Sequence, residues 1–153
     1  MKRLLMQAAI ASVSLALAAG PTPANAFQLI TQAEAGLPAA SALQISTRGL
    51  TRGPTVEQLS PSADAMVPVG PLTFDVTFEA HNGASVDPST VKLTYLKQPA
   101  IDLTQRLRPY ITAKGIRVAD VDVPPGVHEI RVDLADTQGR TSTTVVKIQV
   151  TAK

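Results

Sequence analysis

Cysteine and tryptophan are absent from the 153 residues. Without thiols the chain has no disulfide framework, no thiolate-bound zinc or iron–sulfur cluster, no cysteine nucleophile and no acyl-cysteine anchor. Aromatic residues amount to 3%, three Phe and two Tyr, too few both to fill a core and to line a sugar cleft well. Charged residues make up 17% and form no run of either sign, so no nucleic-acid surface is written into the sequence. Long apolar stretches are missing except one, Leu4 to Ala19, itself interrupted by Gln7, Ser12 and Ser14. It is shorter than the roughly 20 residues of a spanning helix. Pro21 and Pro23 follow it.

Lys2 and Arg3 before that stretch and Ala24-Asn25-Ala26 after it compose a cleavable export signal, residues 1–26, which sends the protein to the periplasm or out of the cell. Removing 26 of 153 residues leaves 127, the size of one domain with no remaining membrane span. Two cations leave with the signal, and twelve remain against twelve anions; the sequence pI of 9.2 therefore belongs in part to the targeting segment. Residues 27–53 are rich in Ala, Gly, Ser and Thr and end in Arg48-Gly49 and Arg52-Gly53, the composition of a flexible leader or loosely docked arm. The folded domain is expected over 54–153.

Period 2 dominates that region. Leu72, Phe74, Val76 and Phe78 alternate with Thr73, Asp75, Thr77 and Glu79, and Val91, Leu93 and Tyr95 alternate with Lys92, Thr94 and Leu96. Ile130, Val132 and Leu134 form a third buried set, and Val146, Ile148 and Val150 a fourth. Between Ile116 and Val123 the parity slips, which predicts a bulge near Ala119-Asp120. Thr55 to Leu59 reads as an edge strand ahead of Ser60-Pro61. Turn chemistry closes the connections at His81-Asn82-Gly83, Asp87-Pro88-Ser89, Pro124-Pro125-Gly126 and Asp136-Thr137-Gln138-Gly139. One short helix is expected, capped by Asp102 with Gln105 completing a capping box, carrying Leu103, Leu107 and Tyr110 on one side and ended by Pro109. The expected fold is all-β, a Greek-key sandwich of about seven strands with that one helix.

Leu59-Ser60-Pro61, the stretch Asn82 to Val91, Pro125 to Val132 and Asp136 to Arg140 together resemble the bacterial immunoglobulin-like domains of exported proteins. The resemblance covers about the last 100 residues. It implies an immunoglobulin-like module used for spacing, adhesion, carbohydrate binding or protein binding. The inter-sheet cysteines and buried Trp of antibody domains are missing. A likeness to periplasmic copper-resistance sandwiches stops at the Ser-Pro step, because the exported chain keeps only Met66, His81 and His128 as copper-type ligands.

Chemistry-bearing motifs are sparse. There is no Gly-x-Ser-x-Gly, no His-Glu-x-x-His and no Gly-rich phosphate loop. His128 shares the inward parity of Ile130 and is expected to bond a loop carbonyl; His81 reads as a turn residue, and the two make a metal pair only if their loops meet at one end. Asp120, Asp122, Asp133 and Asp136 lack a calcium-loop spacing and read as solvated strand faces and a turn. Arg106, Arg108 and Arg117 could form a small cationic patch. No catalytic, cofactor or metal residues are assigned. The strongest surface is the outer face of one sheet, where Lys92, Leu96, Arg131, Val145 and Lys147 mix apolar and charged groups as a protein contact does. The expected function is a non-catalytic, exported binding module whose partner is another envelope or extracellular protein; the alternative is a small-ligand module for carbohydrate or a metal ion.

Overall fold

The computed structural model describes residues 26–40 and 52–152. Apart from Ala26, the segment expected to be an export signal lies outside the described residues, as does the 41–51 portion of the expected leader. In chain order the strands are β1 (Phe27–Gln28), β2 (Thr55–Ser60), β3 (Met66–Pro68), β4 (Leu72–Glu79), β5 (Lys92–Tyr95), β6 (Ile101–Asp102), β7 (Ile111–Thr112), β8 (Gly115–Asp122), β9 (Gly126–Ala135) and β10 (Thr141–Thr151). Three of these are two-residue pairings, and the other seven form the body of the fold.

Two sheets face one another. The first has the order β1-β8-β4-β2, with β7 also on β8; the second has the order β3-β10-β9-β5-β6. The first long strand segment therefore begins in one sheet and, past the cis Ser60-Pro61 bond, continues in the other, where β3 lies parallel to β10. With β4 and β8 paired in one sheet and β5, β9 and β10 in the other, this is the Greek-key order of an immunoglobulin-like sandwich.

The core is the set of inward positions that alternation selects. Phe74, Val76 and Phe78 meet Leu93, Tyr95, Ile130, Val132, Val146 and Ile148 in one cluster, while Leu72, at the mouth of β4, is half-buried. In β8 the parity slip is resolved by an extra residue: Leu72 pairs with Val121 but Phe74 with Val118, and Asp120 takes a positive φ of 53°. The bulge lets Ile116, Val118, Val121 and Val123 all point inward despite their mismatched spacing.

The N-terminal arm is part of the packing. β1 adds a parallel strand to the edge of β8, and Leu29 and Ile30 are both 0% exposed. The helix α1 (Gln32–Ala35) follows, begun by a capping box in which Thr31 Oγ1 accepts from the Glu34 N–H and Glu34 Oε2 accepts from the Thr31 N–H. Ala39 then bridges to Lys97, beyond β5 of the opposite sheet, and the Ala40 N–H donates to the Leu96 carbonyl. Residues 27–40 thus cross the open side of the sandwich from one sheet to the other.

The expected short helix is present, and the arm contributes a second one, also of four residues. In α2 (Thr104–Leu107) Asp102 Oδ1 does accept from the Thr104 N–H at 2.8 Å, but Gln105 makes no reciprocal bond, so the capping box belongs to α1. A 3₁₀ turn continues α2 through Pro109 to Tyr110. Leu103 and Leu107 are buried, whereas Tyr110 is 37% exposed. Rotation into the tighter 3₁₀ turn carries Tyr110 off the apolar side of α2.

Candidate functional site

β9 and β10 pair over nearly their whole length, so their register fixes which outward side chains are neighbours. Thr143 lies opposite Asp133, Val145 opposite Arg131, Lys147 opposite Glu129 and Gln149 opposite Val127. β5 extends these rows with Lys92 opposite Asp133 and Thr94 opposite Arg131, and β3 sets Met66 beside Gln149. The face has two halves.

At the β3 end, Met66 and Val127 are 71% and 55% exposed and flank Gln149 in a single lateral row, about 10 Å across two strand spacings. Gln149 is held by its Nε2 donating to the Ala63 carbonyl at 3.0 Å. At the β5 end the charges compensate one another. Asp133 accepts from Arg131 Nε at 2.9 Å and from Thr143 Oγ1 at 2.7 Å. Hydrogen bonds from Thr104, aided by the charge of Lys92, hold the Asp102 carboxyl below the ordinary carboxylate range.

Of the five residues expected on this face, Lys92 is exposed and Arg131, Val145 and Lys147 are half-buried. Leu96 is corrected: it is only 9% exposed, because the chain beyond β5 is joined by the crossing arm. The exposed apolar positions are instead Met66 and Val127. Alternation ranks Val127 with the outward residues, yet its place beside Met66 depends on the parallel β3–β10 pairing, which strand periodicity does not encode.

Gln58 is another residue the sequence left unremarked. It sits on β2 of the first sheet, but its Oε1 accepts from the Lys147 N–H at 3.0 Å and its Nε2 donates to the Lys147 carbonyl at 2.6 Å and to the Pro61 carbonyl. One amide side chain thereby stands in for a strand along the β10 edge, just before β3 takes over that role.

His128 is 1% exposed. Its Nε2 donates to the Pro124 carbonyl at 2.8 Å, which leaves Nδ1 to accept from the Tyr95 hydroxyl at 2.8 Å. Burial pushes the imidazole pKa below its usual 6.5, and burial with the nearby Glu34 charge pushes the Tyr95 hydroxyl up to about 12. His81 bonds Thr55 Oγ1 at 2.8 Å, and its carbonyl accepts from Arg140. Arg140 follows the far end of β9, so the two histidines sit at opposite ends of a ten-residue strand, roughly 30 Å long. They cannot share a metal ion. Among the described residues no group of three His, Asp or Glu is placed to hold one.

The arginine patch is divided as well. Arg106 forms a bidentate pair with Glu34, at 2.5 and 2.9 Å, and donates to the Leu29 carbonyl, while Arg117 lies 3.7 Å from Asp75. Asp136 is a turn residue: burial would raise its pKa, but hydrogen bonds from Arg140 and from the Gln138 N–H lower it. Ser89 and Lys92 have the Ser-x-x-Lys spacing of certain acyl-transfer enzymes, unremarked in the sequence. Here Ser89 Oγ donates to Asp87 in a 3₁₀ turn that ends at Thr90, before Lys92 enters β5, so the shared helical face that such a pair needs is missing.

No protein-family model and no curated protein matches the sequence. A solved structure of an engineered protein is similar, with a TM-score of 0.42 and 16% identity over 63% of this chain. The chain spans 20% of that protein's length.

Proposed function

We propose that this protein is an exported, non-catalytic immunoglobulin-like module that binds another envelope or extracellular protein through the outer face of its β3-β10-β9-β5 sheet. One observation carries the reading: Met66 and Val127, both more than half exposed, flank Gln149 on a sheet face that also carries the Arg131–Asp133 ion pair and the Thr143 hydroxyl bonded to it. An apolar spot bordered by polar residues of fixed geometry is the anatomy of a protein contact. No helix among the described residues is long and apolar enough to cross a membrane.

The test is site-specific photocrosslinking in cells from positions 66 and 127, with position 73 on the opposite sheet as the comparison. One protein captured from 66 and 127 but not from 73, and lost in Met66→Asp, supports the reading. Equal capture from all three positions overturns it. Reversing Lys92, Arg131 and Lys147 to Glu should weaken the same capture while leaving the thermal midpoint within a few degrees.

A further inference from the structure

On the opposite sheet an open depression of about 410 Å³ lies where the 3₁₀ turn, β7, β8 and β4 converge. Its wall is Tyr110 with Pro109, and its polar groups include Lys114, Arg117 and Asp75. Three of the five aromatic rings, Phe74, Phe78 and Tyr95, are consumed by the core, and Phe27 belongs to the arm. Tyr110 is the ring left over. It is steadied edge-on by Phe27, with ring centres 5.5 Å apart, yet keeps 37% exposure.

The backbone beneath these polar groups is held by hydrogen bonds. The Lys114 carbonyl accepts from the Phe78 N–H at 2.8 Å, and Thr112 Oγ1 accepts from the Lys114 N–H and donates to the Gly115 carbonyl. Gly115 brings β8 so close to β4 that a Cβ would lie 2.2 Å from the Val76 carbonyl oxygen. Arg117 and Asp75 are register neighbours on the same outer face. At 3.7 Å their contact is long, and the Arg117 side chain is 79% exposed, so most of the guanidinium fork faces solvent.

We infer that this depression is a subsite for a single acidic sugar, a hexuronate unit. The guanidinium of Arg117, with the Lys114 ammonium close by, receives the carboxylate in the bidentate geometry that arginine favours. The Asp75 carboxylate accepts sugar hydroxyls, and the Tyr110 ring takes the apolar face of the pyranose. Two cations against one anion set the preference for an acidic sugar over a neutral one. An acidic peptide would satisfy the cations but leave the Asp75 carboxylate facing its own. The site lies on the other sheet from the proposed protein contact and stands or falls independently of it.

The experiment is a ¹H–¹⁵N NMR titration of the purified protein with glucuronate, with glucose, acetate and a Glu-Glu dipeptide as comparisons. Glucuronate is expected to shift the amides of Tyr110, Lys114, Gly115 and Arg117 saturably at millimolar concentration, and glucose and acetate to bind about ten-fold more weakly or not at all. Arg117→Ala, which alters an exposed side chain, should weaken glucuronate about ten-fold with the remaining spectrum unchanged. Tyr110→Ala should also weaken it; should that variant fail to fold, Pro109→Ala probes the same wall. Absence of saturable shifts, equal shifts with acetate or with the dipeptide, or undiminished binding in Arg117→Ala would each overturn the assignment.

Discussion

Leu29→Ala tests whether the arm is structural. Leu29 is 0% exposed and packs into the core between the sheets, so truncation removes buried methyl groups and leaves a cavity. Such changes cost about 2–5 kcal/mol. A value near 3 is expected here, because the segment bearing Leu29 is attached through β1, α1 and the Glu34–Arg106 pair and can collapse only partly into the void. In a domain of this size 3 kcal/mol corresponds to a fall in Tm of roughly 10–15 °C. The assay is urea unfolding followed by far-ultraviolet circular dichroism, comparing wild type, Leu29→Ala and Gln28→Ala. Gln28 is an exposed neighbour on the same strand and should stay within about 0.5 kcal/mol of wild type. The m-value should hold constant, placing the loss in the folded state. A cost below about 0.5 kcal/mol for Leu29→Ala would refute the argument, since it would mean that residues 27–40 do not occupy the groove in solution.

The Glu34–Arg106 pair should show a coupling of about 1 kcal/mol in a double-mutant cycle, reduced by salt, because Arg106 is partly exposed. Two acid-sensitive groups should be separable by pH. The folded-state pKa of His128 lies below 6.5, so the unfolded chain binds its proton first; that contribution is complete above pH 6.5 and falls away as pH drops. Glu34 is lowered from 4.5 to about 2, chiefly by the Arg106 hydrogen bond, so its contribution persists to about pH 4.5 and disappears toward pH 2. Melts from pH 8 to pH 2 should show both phases, with His128→Gln abolishing the upper one and Glu34→Gln the lower; an unchanged profile in either variant contradicts its assignment. Gly115→Ala should cost about 3 kcal/mol or more, since the new Cβ would collide with the Val76 carbonyl at a φ of +149°; a near-neutral result in chemical denaturation would contradict the close strand approach. Gln58→Ala should cost about 1–2 kcal/mol and speed hydrogen exchange at Lys147, whose N–H loses its acceptor.

The candidate surfaces were only partly legible beforehand. Lys92, Arg131 and Lys147 could be assigned to one outer face because parity within β5, β9 and β10 is a local property. Leu96 obeys the same parity and is nonetheless covered, because the chain returns 56 or more residues earlier in sequence to bond beside it. Met66 acquires its place next to Val127 only through a parallel pairing between segments at opposite ends of the domain. The depression at Tyr110 likewise assembles from α2's trailing turn, a hairpin and β4.

Alternation of apolar and polar residues fixed the strands and their inward faces, and a parity slip fixed the bulge, because a strand's two sides are set by successive residues alone. The capping box of Thr31 and Glu34 is equally local, yet the sequence reading placed it at Asp102 and Gln105 instead. Tertiary structure decided what the arm does. Its composition gives no period, and Leu29 and Ile30 become core residues only when β8 offers an edge and Arg106, 72 residues from Glu34, supplies the charge that holds the segment across the sheets.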